Sequence, residues 1–216
     1  MRLRSISVLL AVVMTAVCFA GCNENKDSGA GSADSDMVTN AAISYGMQEK
    51  EFNAVMSLMV DYDNIGTGYY VSKNATDAQG VYMQLTDKRS DLAASVTAVS
   101  VAAANETLGP GNFSTFAYQF TFADSDSARQ LYDTIAIYYS GLSCDVASGE
   151  KDGFTYTLSY FEGSVVINRE GVYLKDNTLI YIYSDTTIES SGSGFASVVF
   201  EKVGVADPAV LHHASS

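Results

Sequence analysis

The sequence predicts an α+β domain in which helices pack mainly on one face of an antiparallel sheet. Apolar residues recur with helical spacing over Gln48–Val60, which indicates an amphipathic helix. Apolar and polar residues alternate between Phe116 and Phe122, which indicates a strand with one buried face. Three further short strand candidates, separated by sharp turns, follow later in the chain. This order of elements is typical of an antiparallel sheet with segregated helices.

Composition and charge limit the class of protein further. The chain has 216 residues, with 25 acidic residues against 12 Lys and Arg, and a formal net charge of -13. Phosphate contacts need a basic surface, so this balance argues against nucleic acid as a partner. Only 2 Pro and 3 Cys are present and 47% of the residues are hydrophobic, which excludes collagen-like, disulfide-stapled and wholly disordered chains.

The first half of the domain contains two expected helices and two expected strands. In chain order they are a helix over Gln48–Val60, a strand over Tyr69–Ser72, a helix over Ala78–Leu85 and a strand, or alternatively a helix, over Ser95–Ala103. Thr76 and Asp77 are the expected cap of the second helix, which Gly80 weakens.

The second half opens with the alternating strand that begins at Asn112. It leads into a helix that starts at Asp124, whose carboxylate suits the positive end of the helix. A loop is expected between Gly141 and Gly149. The remaining expected elements are strands over Phe154–Tyr160, Val165–Asn168 (ending near Glu170 and Gly171) and Thr178–Ser184, a loop over Ser190–Gly194, and a helix or strand over Phe195–Lys202. Because Thr178–Ser184 is apolar on both faces, it is expected to be a central strand.

Two segments of the chain are weakly similar to each other. Ala78, Val81 and Tyr82 share the pattern Ala-x-x-aliphatic-Tyr with Ala128–Tyr132, at an offset of 50 residues. A strand candidate precedes each segment, so a duplicated strand-helix-strand unit is one hypothesis, and chance similarity is the other.

The N-terminus has the layout of an export signal. Arg2 and Arg4 precede an uncharged apolar run of 16 residues, Ser5–Ala20, which is short for a bilayer span of about 20 residues. The run ends in Phe-Ala-Gly-Cys at positions 19–22. This resembles the lipobox of bacterial lipoproteins, although Phe19 stands where that motif usually has Leu.

The resemblance implies a diacylglyceryl thioether on Cys22, cleavage before this residue, and acylation of the new amino terminus with chains such as palmitate. It implies a protein held on the extracytoplasmic side of a cell membrane, since two or more acyl chains anchor stably. Cleavage would leave 10 basic against 25 acidic residues, a net charge of -15. The alternatives are an ordinary signal peptide cleaved near Ala20 and an uncleaved anchor.

The expected organisation has four parts. Residues 1–21 are the signal peptide, residues 22–40 the lipidated Cys22 and a flexible linker, residues 41–205 a single α+β domain, and residues 206–216 a loose tail. The linker sequence Asn23–Asp36 has no large apolar residue and is rich in Gly and Ser, so it is expected to act as a tether.

No catalytic set, cofactor site or metal site is predicted. Ser148–Lys151 matches Ser-x-x-Lys, but it is expected in a loop and no Lys-Thr-Gly box follows. His212 and His213 lie in the tail, away from any candidate nucleophile. Cys144 is the single cysteine left after Cys18 and Cys22, and a buried small hydrophobe is its expected role.

Two further features resemble binding sites weakly. Asp61 and Asp63 resemble the start of a calcium loop, but Ile65 occupies a ligand position, so a helix exit and turn are favoured. The chain has 14 Tyr, and Tyr69 and Tyr70 are adjacent in a strand candidate, so they point to opposite faces. These two are possible ligand-binding residues, with core packing the preferred alternative.

The functional hypothesis is a non-catalytic domain that binds an unknown protein or small-molecule ligand and is anchored to a membrane through its lipid. A cell-envelope hydrolase with a carboxylate-based site is the first alternative, and a structural envelope protein is the second.

Overall fold

The computed structural model describes residues 36–61, 63–86, 88–108, 111–187 and 194–211. The α-helices in these residues are α1 Met37–Ser44, α2 Phe52–Val60, α3 Ala75–Leu85, α4 Ser125–Ser140 and α5 Gly194–Val203. The strands are β1 Gly66–Ser72, β2 Val96–Leu108, β3 Gly111–Phe122, β4 Asp145–Lys151, β5 Phe154–Glu162, β6 Val166–Lys175 and β7 Thr178–Thr187. Short 3₁₀ helices cover Ser90–Ser95 and Pro208–Leu211.

The seven strands form one antiparallel sheet in the order β1-β2-β3-β7-β6-β5-β4. Helix α4 carries the chain from the centre of the sheet to its far edge. Tight connections then bring β5, β6 and β7 back to the centre, where β7 pairs with β3. This confirms the α+β class and the antiparallel sheet, and it makes β7 the central strand that its two apolar faces predict.

Helices α2, α3 and α4 cover one face of the sheet, called the front face below. Its core residues on the central strands are aromatic or large, namely Phe116, Tyr118, Phe120, Phe122, Leu179 and Tyr181. The Tyr82 ring of α3 packs edge-on against Phe120, with ring centroids 5.0 Å apart. Large rings on alternate strand positions therefore provide the surface on which these three helices pack.

Helices α1 and α5 cover the opposite, back face. Its core residues on the central strands β3 and β7 are smaller or aliphatic, namely Ala117, Ile180 and Ile182, while its large strand rings, Phe154 and Tyr173, lie on β5 and β6. The helices also present alanines there, including Ala41, Ala42 and Ala196, which are fully buried. The sequence places helices mainly on one face, and the structure has three on the front face and two on the back.

Helix starts follow local capping chemistry. The Asp124 carboxylate accepts the Ser127 backbone N–H of α4 at 2.7 Å, as expected for this residue. Helix α3 begins three residues earlier than expected, because Asn74 accepts the N–H groups of Thr76 and Asp77. Helix α2 begins only at Phe52, since residues 48–50 are extended beside β1.

Several expected boundaries were wrong. Helix α1 starts at Met37 with Val38 fully buried, so the domain begins four residues before position 41. Residues 145–151, expected in a loop, form β4, and β6 continues through Glu170 and Gly171 to Lys175. Residues 195–202 are helical. Pro208 is buried, so the tail packs on the domain at least to this point.

The two similar segments both lie in helices of the front face. Ala78 and Tyr82 of α3 and Ala128 and Tyr132 of α4 are buried at matching positions. Their flanking strands are arranged differently, because β1 and β2 are neighbours whereas β3 and β4 are separated by three strands. The segments therefore share a helix pattern without sharing a strand arrangement.

Candidate functional site

Tyr69 and Tyr70 lie on opposite faces of β1 and are both half-buried. The Tyr70 ring packs against Phe52 of α2 on the front face, with centroids 5.5 Å apart. Tyr69 packs with the back-face core, and its backbone forms a β-bridge with Glu49. The structure therefore does not bring the two rings together, and ligand binding by either residue stays a prediction.

Cys22, His212 and His213 lie outside the described residues. Cys144 is half-buried, and its Sγ lies 3.1 Å from the Ser159 Oγ. In the described part of the chain, no group of three or more His, Cys, Asp or Glu could hold a metal ion. No helix among the same residues is long and apolar enough to cross a membrane.

The Ser-x-x-Lys segment lies in β4 and not in a loop. Side chains three residues apart in a strand point to opposite faces. The Ser148 Oγ lies 2.8 Å from the Thr157 Oγ1, and the Lys151 Nζ donates to the Val205 carbonyl at 2.7 Å. These two side chains therefore cannot act on each other as nucleophile and base.

Asp61 and Asp63 form a turn at the end of α2. The Asp61 Oδ1 accepts the Asp63 N–H at 3.1 Å, and the Asn105 amide donates to the Asp61 carbonyl at 3.2 Å. These residues therefore form the helix exit and turn that the sequence analysis favours over a calcium loop.

Two acids on the front face have perturbed pKa values that sequence reasoning missed. Glu170 of β6 is 8% exposed, and it accepts the Tyr181 hydroxyl at 2.7 Å. Burial raises the pKa of Glu170, while the Tyr181 hydroxyl and the positive charge of Lys88 act in the opposite direction. The Tyr139 hydroxyl, buried on α4, also faces this carboxylate and acts to lower its pKa, although the distance and angle between them do not make a hydrogen bond.

The second acid, Asp185, lies on β7, opposite Asn168 of β6. Glu170 lies two residues further along β6, opposite Tyr183 of β7. Burial raises the pKa of Asp185 to about 6. The Tyr183 hydroxyl lies 3.4 Å from its Oδ2, and its Oδ1 is buried without a partner among the described residues. Both acids therefore sit on one face of neighbouring strands.

Stacked aromatic rings surround these acids. The Phe116 and Tyr183 rings stack with centroids 4.5 Å apart, and the Tyr118 and Tyr181 rings stack at 4.9 Å. A hydrolytic carboxylate pair needs access for a substrate and for water. Because Glu170 is nearly enclosed by tyrosines, this cluster has the character of a buried polar network and not of an open catalytic cleft.

The accessible candidate site lies at the β4 edge of the sheet. A shallow depression of about 560 Å³ is lined by residues 142–145, before and at the start of β4, and by residues 160–162 at the end of β5. Phe161 is 41% exposed beside it, and Val146 of β4 is 37% exposed. Asp145 and Glu162 place carboxylates at its margin. This edge combines unpaired strand backbone, exposed apolar side chains and negative charge.

The two edges of the sheet differ in how they are covered. At β1, the Lys50 N–H donates to the Tyr69 carbonyl at 2.8 Å and the Tyr69 N–H donates to the Gln48 carbonyl at 3.1 Å. At β4, no described residue pairs with the outer side of the strand. The β4 edge is therefore the open one, and sequence reasoning missed it because this strand was expected to be a loop.

Comparisons with known proteins were made on the sequence and on the fold. No protein-family model matches the chain, and no curated protein is similar to it at a significant level. Among solved structures, the extracellular domain of PknH from Mycobacterium tuberculosis is similar with a TM-score of 0.39 and 12% sequence identity, over 72% of this chain and 90% of that chain. Function must therefore be inferred from the residues of this chain.

Proposed function

We propose that the protein is a lipid-anchored bacterial lipoprotein of the extracytoplasmic membrane surface whose α+β domain binds another molecule without chemical conversion. The observation that carries the anchor is the N-terminal order of Arg2 and Arg4, the apolar run Ser5–Ala20 and Cys22. Each part has a physical role, because the charges orient the segment, the run enters the bilayer and the thiol accepts the lipid.

The start of the domain suits attachment to a tether. The Asp36 carboxylate accepts the Thr39 N–H at 2.9 Å and the Thr39 hydroxyl at 2.7 Å, and so caps α1. It also accepts the Ser100 hydroxyl of β2, and the Met37 N–H donates to Gln119 of β3 at 3.0 Å. A chain that enters the domain here is fastened to β2 and β3 at residues 36 and 37.

A binding role, as opposed to catalysis, is supported by the separation of potentially reactive groups. Ser148 and Lys151 point to opposite faces of β4, and Glu170 is buried with the Tyr181 hydroxyl bound to its carboxylate. The exposed features are instead an open strand edge and a shallow depression, which suit recognition of another molecule.

Mass spectrometry of the purified native protein tests the anchor. We expect a mature chain that lacks residues 1–21 and carries added acyl mass at its first residue, Cys22. The Cys22→Ala variant should lack this mass and should leave the membrane fraction or keep its signal segment. Cys18→Ala is the matched control, since it removes the other thiol of the same segment, and it should be processed like the native protein.

An unmodified native product with a free amino terminus contradicts the anchor. Proteinase K treatment of intact cells without an outer membrane, or of spheroplasts, tests the orientation. The anchored domain should be digested while cytoplasmic proteins survive. Protection of the domain from the protease contradicts the extracytoplasmic placement.

A further inference from the structure

We infer that the outer edge of β4 is a docking site for a basic, extended polypeptide segment, which adds to the sheet as an eighth strand. This inference deepens the proposed binding function and rests on it. The partner is then a polypeptide with basic side chains, and it binds through backbone hydrogen bonds along Asp145–Lys151.

The backbone of β4 is regular enough to act as a template. Each of its seven residues pairs with one residue of β5, from Asp145 opposite Tyr160 to Lys151 opposite Phe154, without a register shift. In a regular edge strand, the N–H and C=O groups of alternate residues point away from the sheet. Since no described residue pairs with the outer side, these groups are available to an added strand.

Strand β4 carries only part of the protection that natural edge strands usually have, because its acids Asp145 and Glu150 repel acidic chains and not basic ones. Proline, bulges, charged side chains and covering segments are the common devices that block pairing with another chain. The strand has no proline and no bulge, and its single lysine, Lys151, stands at its last position and is bound to the Val205 carbonyl. By contrast, residues 48–50 lie against β1 and occupy part of that edge.

The side chains beside the β4 edge offer apolar contact surface on both faces to the side chains of an added strand. On the back face, Ala147 is small and half-buried, and the Tyr156 ring fills the space above Gly149. On the front face, Val146 is exposed and Phe161 borders the depression of about 560 Å³. An added strand would therefore bury apolar side chains against both faces while its backbone pairs with β4.

The negative charge around the β4 edge favours a basic partner. Asp145, Glu150, Asp152 and Glu162 lie on or beside this edge, and Lys151 is the one basic residue in β4. A segment with lysine or arginine near its ends complements these carboxylates and is attracted to them at long range. A second copy of this chain, with its net charge of -13, is repelled at the same range.

The test uses full-length protein in detergent and three synthetic peptides as probes. The first is a fluorescein-labelled Lys-Val-Thr-Val-Thr-Val-Lys with blocked ends. The second has Glu in place of both Lys, and the third is the first peptide with alternate backbone nitrogens methylated on its pairing side. We expect the first to bind at least 10-fold more tightly than the other two. Hydrogen exchange of residues 145–151 should slow on its addition.

Val146→Lys places a charge on the edge at an exposed position, and it should weaken binding of the lysine-ended peptide at least 10-fold. Thr67→Lys is the matched control on the covered β1 edge and should leave binding unchanged. Circular dichroism and thermal unfolding of both variants show that each one folds. Glu150→Lys should also weaken binding, because it reverses one of the complementary charges.

Four outcomes overturn the inference. They are equal binding of the Glu-ended peptide, equal binding of the methylated peptide, unchanged exchange at residues 145–151, and self-association that protects β4 without peptide. If binding fails while Cys22 carries acyl mass, the docking edge is wrong and the anchor stands. If the acyl mass is absent, the anchor is wrong whatever the peptides do.

Discussion

At the centre of the sheet, the front and back faces pack against helices with side chains of different size. On the front face, rings such as Phe120 and Tyr118 meet three helices. On the back face, alanines such as Ala102 and Ala117 meet alanines of α1 and α5. Small residues on both sides of an interface leave little space to fill, whereas large rings must interlock in shape.

The faces also differ in how their buried polar groups are satisfied. On the back face, Ser100 donates to Asp36, and the Tyr173 hydroxyl donates to the Ala206 carbonyl at 2.6 Å. The exception there is Arg169, whose Nε has no partner among the described residues. On the front face, an oxygen of Asp185 and the hydroxyl of Tyr139 are buried and have no hydrogen-bond partner in the described part of the chain. Two of the three buried polar atoms that lack a partner in the described residues therefore lie on the aromatic front face, where the helices do not satisfy them.

The largest expected effect comes from a cavity on the front face. Phe120→Ala removes a fully buried ring that contacts Tyr82, and it should lower the free energy of unfolding by about 3–5 kcal/mol. Ala117→Leu, three positions earlier in the same strand and on the back face, should cost about 1–3 kcal/mol through overpacking. Urea unfolding of both variants measures these losses. A neutral Ala117→Leu would show that the back face is not closely packed.

A pH-dependent effect is expected from Asp185. Its pKa is about 6 in the folded protein against an ordinary value of 3.8, so the folded state holds its proton more tightly than the unfolded state. The resulting penalty is absent below pH 3.8, grows as the pH rises, and is complete above about pH 6. Asp185→Asn should therefore be more stable than the native protein by up to about 3 kcal/mol at neutral pH and equal to it in acid.

Urea unfolding at several pH values measures this difference. Tyr183→Phe sharpens the test, because it removes the hydroxyl that favours the charged form of Asp185. It should raise the pKa of Asp185 further, which NMR titration of the carboxyl carbon detects. A stability gain of Asp185→Asn that does not change with pH would contradict the assigned cause.

The smallest expected effect separates a paired from an unpaired tyrosine hydroxyl. Tyr173→Phe removes a hydrogen bond to Ala206 and should cost about 1 kcal/mol. Tyr139→Phe removes a buried hydroxyl that faces Glu170 but makes no hydrogen bond to any described residue, and it should cost less than Tyr173→Phe at neutral pH. Thermal unfolding of the two variants compares them directly. Equal losses would mean that Tyr139 has a hydrogen-bond partner and that the faces do not differ in this respect.

Elements with a strong local pattern could be predicted from the sequence. Alternation along β3, the cap and apolar stripe of α4 and the two apolar faces of β7 all correspond to elements of the structure. Burial of one face, or of both, forces such a pattern on a strand or helix, so it can be detected without the tertiary structure.

The edge strand β4 could not be predicted in this way. Strand β4 is exposed at most positions, so no alternation of apolar residues is required of it. A usable signal was the Asp152–Gly153 pair, which forms a two-residue turn with positive φ at both positions between β4 and β5. Gly171 was expected near the end of a strand, but it lies within β6. A glycine is needed at this position because the Tyr173 ring covers the space that a side chain would occupy.

The amino-acid sequence alone determined the class of the domain, its central elements and the expected export address, because these depend on local periodicity and on residue order. The tertiary structure decided which residues became chemically distinctive. Glu170 and Asp185 resemble any other strand acids until α4 and the neighbouring strands remove them from water and raise their pKa values. Likewise, β4 has an open edge because, among the described residues, none pairs with its outer side, whereas residues 48–50 pair with part of β1.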